Sequence, residues 1–197
     1  VQPGAKVAVH LEKPLAIDLT RASTLVGTFE AARLGFAAVL QHRLREGALR
    51  LVERVRSGAL RPLVSAAALV RGWRPQGYYD EPGRGTRNRG GGGVLITQAI
   101  HTLDLFLSLT GLPERVIVAH TRRVHRMACE DTAAALRQFA RGPRAVVQAT
   151  TAAYPGFAER NELNGTTGRP TKRVNSGPRW PAAKSPRPPR GRPPAAG

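Results

Sequence analysis

The opening strand–helix–strand pattern constrains the fold of this chain more than any other feature of its sequence. The apolar run at residues 7–11 indicates a buried strand that must end before Pro14, because proline cannot donate a hydrogen bond to a neighbouring strand. Asp18 is suited to cap a helix, and a second apolar strand follows at residues 36–40. This order predicts a right-handed parallel unit, so residues 1–44 are interpreted as the end of a Rossmann-type, doubly wound α/β domain. The predicted buried face of the helix is Ala22, Leu25, Val26 and Phe29.

From residue 45 onward, the order of the elements predicts a second domain, of the α+β class, over residues 45–168. Helices are expected at residues 46–57 and 94–109, where apolar side chains recur at helical spacing. Several strands follow one another after the second helix, which favours a largely antiparallel sheet with helices on one face. The strands are expected at residues 62–70, 115–120, 132–139 and 145–151. The predicted apolar positions of the two helices are Leu49, Val52, Val55, Ile96, Ile100, Leu103 and Leu107.

The formal net charge of +18 is unevenly distributed, which decides how it is interpreted. Residues 169–197 contain eight Lys or Arg, no Asp or Glu, and eight of the sixteen prolines. A segment of this composition is expected to be disordered, and it is either an interaction arm or the product of a shifted reading frame. A basic chain can bind nucleic acid, but no basic motif interleaved with aromatic residues accompanies the charge. Nucleic-acid binding is therefore kept only as a third alternative.

A single cysteine, Cys129, excludes an intramolecular disulfide framework and metal sites built from several thiolates. No apolar run approaches the length of a membrane span and no signal sequence opens the chain, so a soluble cytoplasmic protein without membrane contacts is expected. The first residue is Val1, not methionine, which leaves an upstream start open. No metal site is expected, because the four histidines other than His101 share no spacing typical of metal ligands. They are interpreted as structural or exposed, and they are His10, His42, His120 and His125.

Five short segments occur in an order that resembles the Gfo/Idh/MocA oxidoreductases. The tripeptide Glu12-Lys13-Pro14 is common by itself, but here it stands at the end of a predicted parallel strand. The resemblance covers residues 4–168. Its segments are 10–16 (HLEKPLA), 41–43 (QHR), 91–105 (GGGVLITQAIHTLDL), 130–133 (EDTA) and 164–168 (NGTTG).

The resemblance implies that a nicotinamide cofactor, NAD or NADP, exchanges a hydride with a hydroxyl-bearing carbon of a sugar, sugar nucleotide or cyclitol. It assigns Lys13 as the catalytic proton donor and acceptor, and burial beside the positive nicotinamide ring would lower the pKa of this lysine toward neutrality. It also implies a cis peptide bond between Lys13 and Pro14. His101 is placed at the substrate hydroxyl, as a catalytic partner of Lys13 or as an alternative to it. The expected cofactor contacts are Glu12, Lys13 and Pro14.

Further residues near the motifs are interpreted as substrate contacts. Arg74 and Tyr79 lie in a loop, and these residue types suit a polyhydroxylated or phosphorylated ligand. Asp104 either orients His101 or forms a salt bridge elsewhere. The glycines at 90–93 are interpreted as a point of close backbone approach at a helix N-terminus. The complete set of expected substrate contacts is Lys13, Arg74, Tyr79, Thr97 and His101.

Thr97 departs from the family pattern, which often has Asp and sometimes Asn four residues before the histidine. A hydroxyl carries no negative charge at neutral pH, so a proton relay through a carboxylate at this position is lost. This departure leaves an alternative in which the protein is a catalytically inactive family member that serves as a binding or assembly subunit.

The G-x-G-x-x-G turn that binds the cofactor pyrophosphate should precede Lys13, and it is absent there. The chain is therefore interpreted as an N-terminally truncated fragment that lacks on the order of 90 residues and is inactive by itself. In the intact parent, a homo-oligomer formed through the C-terminal sheet is expected. The substrate, the direction of the reaction and the choice between NAD and NADP stay open.

Overall fold

The computed structural model of the chain describes residues 7–139, 143–167 and 174–175. The tail predicted at residues 169–197 lies outside these described residues, apart from the short strand Val174–Asn175. Its predicted disorder therefore stays a prediction.

The opening unit consists of β1 (Val9–Glu12), α1 (Leu19–Ala31) and β2 (Phe36–Val39). The two strands pair in parallel, as the order of the elements predicts. Asp18 accepts a backbone N–H of the first helical turn at 2.8 Å, which confirms it as the N-cap. The predicted apolar face of α1 is half-buried, and Phe29 stacks on the first residue of β2 with 4.6 Å between the ring centroids.

The elements that follow agree closely with the predicted bounds of the second region, apart from one helix that is discussed below. The helical elements are a 3₁₀ turn (Gln41–Leu44), α2 (Glu46–Arg56), α3 (Gln76–Tyr79), α4 (Arg87–Gly90), α5 (Val94–Thr97) and α6 (Ile100–Thr110). The strands are β3 (Leu63–Arg71), β4 (Arg115–Thr121), β5 (Thr132–Gln138), β6 (Arg144–Thr150), β7 (Arg160–Gly165) and β8 (Val174–Asn175).

The six strands β3–β8 form one sheet in the order β4-β5-β6-β3-β7-β8. The β3–β6 pair is parallel, and the other four neighbouring pairs are antiparallel. Helices α2 and α6 cover one face, where Leu105 and Phe106 of α6 pack with Ala68 of β3 and Leu163 of β7 in the main core. The predicted sheet, largely antiparallel with helices on one face, is confirmed.

The continuous helix predicted over residues 94–109 is wrong. The chain forms α5 and α6 in its place, and the segments Arg87–Thr97 and Ile100–Thr110 are bent by 54°. At the break, the carbonyl of Val94 accepts N–H groups from both Gln98 and Ala99, at 3.1 and 2.9 Å. At the start of α5, Val94 N donates a hydrogen bond to the carbonyl of Glu130, close before β5. Helix α6 packs across β3 instead, so the two helices follow different surfaces of the sheet region.

The predicted inward faces of the helices also need correction. Leu49 of α2 is 55% exposed, because Ala48 and Leu51 occupy the side of the helix that meets the core. In α6 the fully buried apolar residues are Leu105 and Phe106, which lie off the predicted apolar line. Apolar residues cover more than one face of each helix, and spacing alone does not show which face meets the sheet.

Candidate active site

Lys13 lies in the turn after β1 and reaches the second region of the chain. The Lys13–Pro14 peptide bond is cis, which confirms the prediction. The Lys13 ammonium donates a hydrogen bond of 2.8 Å to the backbone carbonyl of Thr97 at the end of α5. Burial lowers the pKa of Lys13 from its ordinary value, and the anions Glu12 and Glu159 oppose this shift. A lysine with a lowered pKa loses its proton more readily than an exposed one, which suits proton transfer.

His101 lies in the first turn of α6 and is buried. Its ring centroid lies 5.0 Å from that of His42. In the described part of the chain, its Nδ1 atom is buried and has no hydrogen-bond partner. Burial lowers the pKa of His101, and the positive charge of Lys13 acts in the same direction. The neutral imidazole therefore keeps one ring nitrogen without a partner among the described residues.

An open cavity of about 490 Å³ lies beside Lys13 and Pro14. Thr97 and Tyr79 also line it, so the structure brings four of the predicted site residues to one cavity. Cavities of this size hold ligands as large as a sugar together with part of a cofactor. Its wall further carries one carboxylate and two guanidinium groups, from Glu81, Arg84 and Arg89.

Arg74 and Tyr79 are held in place by side-chain contacts. Arg74 donates a hydrogen bond of 3.0 Å to Gln98 Oε1 and lies 4.8 Å from the ring centroid of Tyr78. Gln98 in turn donates to the Tyr78 hydroxyl at 3.0 Å. The Tyr79 hydroxyl donates to Thr151 Oγ1 at 2.7 Å, so Tyr79 presents ring surface to the cavity while its hydroxyl is engaged elsewhere. Burial raises the pKa of Tyr79.

Arg43 and Asp104 form a bidentate ion pair, in which Nε and Nη2 of Arg43 donate to the two carboxylate oxygens at 2.5 and 2.7 Å. Of the two roles considered for Asp104, the structure shows the salt bridge. The pair connects the segment that follows β2 to α6, the helix that carries His101. Glu12, predicted as a cofactor contact, is exposed at the end of β1.

Two glycines of the predicted close approach make tight contacts within the chain. Gly91 has a φ of +74°, and a Cβ atom at this position would lie 3.0 Å from the Cα of Ile17. A side chain at Gly93 would collide with the backbone carbonyl of Glu130, which also accepts a hydrogen bond of 3.0 Å from Val94 N. The close backbone approach is confirmed, and its partners are other segments of this chain.

The sequence analysis did not predict a buried polar cluster behind His101 that consists of His42, Thr102 and Glu159. His42 lies three residues after β2, at the sheet edge where Lys13 follows β1, and the carboxyl ends of parallel strands meet at one edge. That position could have identified His42 as a neighbour of the site. Glu159 belongs to no motif, and only the fold brings it there.

The described residues include neither a cluster of metal-ligating side chains nor a single helix that could span a membrane. Among them, no three His, Cys, Asp or Glu side chains lie where they could hold a metal ion. Over the same ranges, no single helix has the length and apolar character of a membrane span, and the segments Arg87–Thr97 and Ile100–Thr110 pass that test only as a bent pair.

A family model described as the GFO/IDH/MocA C-terminal domain matches residues 48–170. No protein of curated function matches the chain in sequence.

Solved structures with a similar fold include two WlbA dehydrogenases and an inositol dehydrogenase homolog. WlbA from Chromobacterium violaceum, in complex with NADH and UDP-GlcNAcA, is 24% identical with a TM-score of 0.78, and the match covers 88% of this chain and 54% of that chain. WlbA from Bordetella pertussis, with the same ligands, is 26% identical with a TM-score of 0.73 and coverages of 80% and 49%. The inositol dehydrogenase homolog from Azotobacter vinelandii, complexed with NAD+, is 17% identical with a TM-score of 0.73 and coverages of 81% and 43%. The chain thus spans about half the length of these structures.

Proposed function

Because the chain belongs to the Gfo/Idh/MocA family of oxidoreductases, we propose that it forms the substrate-facing half of a dehydrogenase. The reaction transfers a hydride between NAD or NADP and a hydroxyl-bearing carbon of a sugar, sugar nucleotide or cyclitol. One observation carries the proposal. Lys13, from the parallel unit, donates a hydrogen bond to the carbonyl of Thr97 beside an open cavity. Thr97 precedes the buried His101 by four residues.

The cofactor end of the cavity fits a nicotinamide ring. Hydride acceptance and donation are the chemistry that NAD(P) supplies when it is bound. Pro14 and Lys13 line the cavity and would contact the ring, and the exposed Glu12 directly precedes them in the chain. The unpartnered Nδ1 of His101 is a buried polar atom that a bound hydroxyl would satisfy.

Lys13 moves the proton of the reacting hydroxyl in this proposal. As the hydride leaves the carbon, the O–H bond breaks and its proton passes to the neutral amine of Lys13; in the reverse reaction the ammonium returns it. Burial prepares this exchange because it lowers the pKa of Lys13. His101 binds the same oxygen and orients it.

The charge of the cavity wall supports a ligand that carries hydroxyl and anionic groups. Arg84 stacks on the ring of Tyr78 at 4.1 Å and pairs with Glu81 at 2.6 Å, so its guanidinium is held in place. Arg89 contributes a second cation to the wall. The WlbA relatives, solved with UDP-GlcNAcA, are consistent with a sugar nucleotide.

The proposal assigns residues 1–44 to the end of a cofactor-binding domain and residues 45–168 to the substrate domain. The G-x-G-x-x-G turn that binds a cofactor pyrophosphate does not occur among the residues before Lys13.

A second copy of the chain would cover the open face of the sheet. Opposite the helices, neighbouring strands carry a row of apolar side chains, in which Ile117, Leu136 and Val146 are each about half exposed. A charged residue in this row, Leu136→Glu, should convert an oligomer to a monomer in sedimentation analysis. An unchanged sedimentation coefficient would reject this interface.

The proposal is tested in a full-length protein that contains this chain. Lys13→Ala should lower turnover by roughly 100-fold or more, because no other side chain replaces the proton acceptor. His101→Ala should also lower it, whereas His120→Ala is the matched control, since His120 is an exposed histidine on β4. Turnover that is unaffected by Lys13→Ala would remove this residue from the mechanism.

Thr97 supports one alternative, an inactive family member that acts as a binding subunit. The carbonyl of Thr97 binds Lys13, while its hydroxyl donates to Gly93 O at 2.6 Å and is turned away from proton chemistry. Measurable hydride transfer by the full-length protein with Thr97 unchanged would exclude this alternative. Transfer that appears only after Thr97→Asp would establish it.

A further inference from the structure

Glu159 is a buried carboxylate that the proposed reaction does not use. It lies next to the start of β7, and its side chain is 14% exposed. The hydroxyl of Thr102 on α6 donates a hydrogen bond to Glu159 Oε2. A carboxylate that loses most of its hydration needs such donors, so the contact explains how Glu159 is tolerated there.

The contact continues toward His101 through His42. Thr102 Oγ1 lies 3.4 Å from His42 Nδ1, and Glu159 Oε2 lies 3.8 Å from the same nitrogen. The His42 ring then faces the ring of His101, with 5.0 Å between the centroids. A continuous line of polar groups therefore runs from Glu159 to the histidine of the proposed site.

The hydrogen atoms of this line can be assigned by counting. A threonine hydroxyl has one hydrogen, and Thr102 donates it to Glu159. The same oxygen can then only accept from His42, so His42 must carry its hydrogen on Nδ1. Its Nε2 is consequently the acceptor nitrogen.

His42 stays neutral, so it contacts Glu159 as a hydrogen-bonding group and not as an ion-pair partner. Burial lowers its pKa to about 3, and the positive charges of Arg45 and Lys13 act in the same direction. A neutral ring has one donor and one acceptor nitrogen, so its hydrogen-bond partner selects the tautomer.

The charged groups around Glu159 come from several elements. Burial raises the pKa of Glu159, while the Thr102 hydroxyl and the cations Arg45, Lys13 and Arg74 oppose this shift. Glu159 in turn raises the pKa of Lys13 against the effect of burial. The carboxylate of Glu159 thus acts on Lys13 through its charge. It acts on His101 through the contacts of Thr102 and His42.

We propose that Glu159 is a positioning residue of this site, which fixes the Nδ1–H tautomer and the ring of His42 behind His101 through the hydroxyl of Thr102. The role rests on the proposed function.

The test reads the tautomer of His42 directly in this chain, without cofactor or substrate. Nitrogen-15 NMR distinguishes the Nδ1–H form, the Nε2–H form and the charged form of histidine, and replacing each of the five histidines in turn assigns the signals. We expect His42 to be in the Nδ1–H form between pH 8 and pH 5. A wild-type His42 in the Nε2–H form overturns the proposal without any variant.

Two substitutions interrupt the line at different points. Thr102→Val removes the hydroxyl but keeps the shape and the charge of Glu159, and Glu159→Gln removes the charge. Both should shift His42 toward a mixture of tautomers, and Glu159→Gln alone should also lower the pH at which Lys13 titrates. Glu162→Gln, on the adjoining strand β7 and on the opposite face of the sheet from Asn161 and Leu163, is the matched control and should change neither signal.

A purely structural role of Glu159 predicts a different result. The variants would then lower the unfolding temperature while the nitrogen signals of His42 and the titration of Lys13 stay as in the wild type, and the proposal would be wrong. Since no hydride transfer is measured, a failure here is distinct from a failure of the dehydrogenase proposal, which depends on turnover of Lys13→Ala. In a full-length active protein, Glu159→Gln should lower kcat roughly 10-fold with little change in KM, and Glu159→Asp should restore part of it.

Discussion

The two parts of this chain that meet at the candidate site differ in how they are held together. In the opening unit, β1, α1 and β2 contain no fully buried residue, and the first one along the described chain is His42. The six-stranded sheet and its helices contain the main core, with Phe106 and Leu163 completely enclosed. Lys13 therefore stands on the thinly packed part, and its contact with Thr97 on the well-packed part fixes where its amine lies.

Removing a core side chain of the sheet region should have the largest effect on stability. Phe106→Ala leaves a cavity between α6 and the sheet and should lower the free energy of unfolding by about 3–5 kcal/mol. Chemical denaturation followed by circular dichroism measures the change.

The matched substitution in the opening unit is Phe29→Ala. Phe29 is half-buried and stacks on Phe36 alone among the described rings, so its loss should cost about 1–2 kcal/mol. Equal losses for Phe29→Ala and Phe106→Ala would show that the two parts are packed equally well, and the comparison would fail.

Acid should lower the stability of the folded chain through His42, which lies in the turn between the two parts. The pKa of this histidine is about 3 in the folded chain and has its ordinary value of 6.5 when the chain unfolds. Between these values the unfolded chain binds the additional proton, so stability should fall as the pH falls from 6.5 toward 3, by roughly 1 kcal/mol per pH unit. Denaturation curves at several pH values measure the slope, and His42→Gln should flatten it. His120→Gln, at an exposed position, should leave the slope unchanged.

The smallest effect is expected at the ion pair that joins the two parts. Arg43→Ala removes the pair with Asp104, but Arg43 is about half exposed, so solvent and salt screen the interaction. The cost should be about 1 kcal/mol or less, and it should shrink further in 1 M salt. A loss of several kcal/mol that is insensitive to salt would mean that this pair, and not the contact of Lys13, organises the boundary.

Local patterns along the chain predicted much of this architecture. The proline after β1, the cap at Asp18 and the apolar spacing of α1 depend on neighbouring residues, and all three agree with the structure. The bounds of the four predicted strands, β3 to β6, agree within a residue as well, because the apolar pattern of a strand is a local signal, whereas β7 and β8 were not predicted. The motif residues Lys13 and Thr97 were recognised from sequence and lie on one cavity.

Other features depend on contacts between distant segments, and the sequence did not predict them. The break after α5 arises where Gly93 and Val94 dock on the backbone of Glu130, while α6 follows the sheet. The side of α2 that is buried was likewise decided by the sheet, which left Leu49 exposed.

The sequence by itself determined which chemical groups this protein possesses and the local elements that carry them, since hydrogen bonding and side-chain spacing act over a few residues. Only the tertiary structure decided which of these groups meet. Glu159 and Thr102 are 57 residues apart, and they share a hydrogen bond because β7 and α6 pack on one core. Burial in the folded chain then changes the pKa values of Lys13, His42 and Glu159, which no spacing in the sequence reveals.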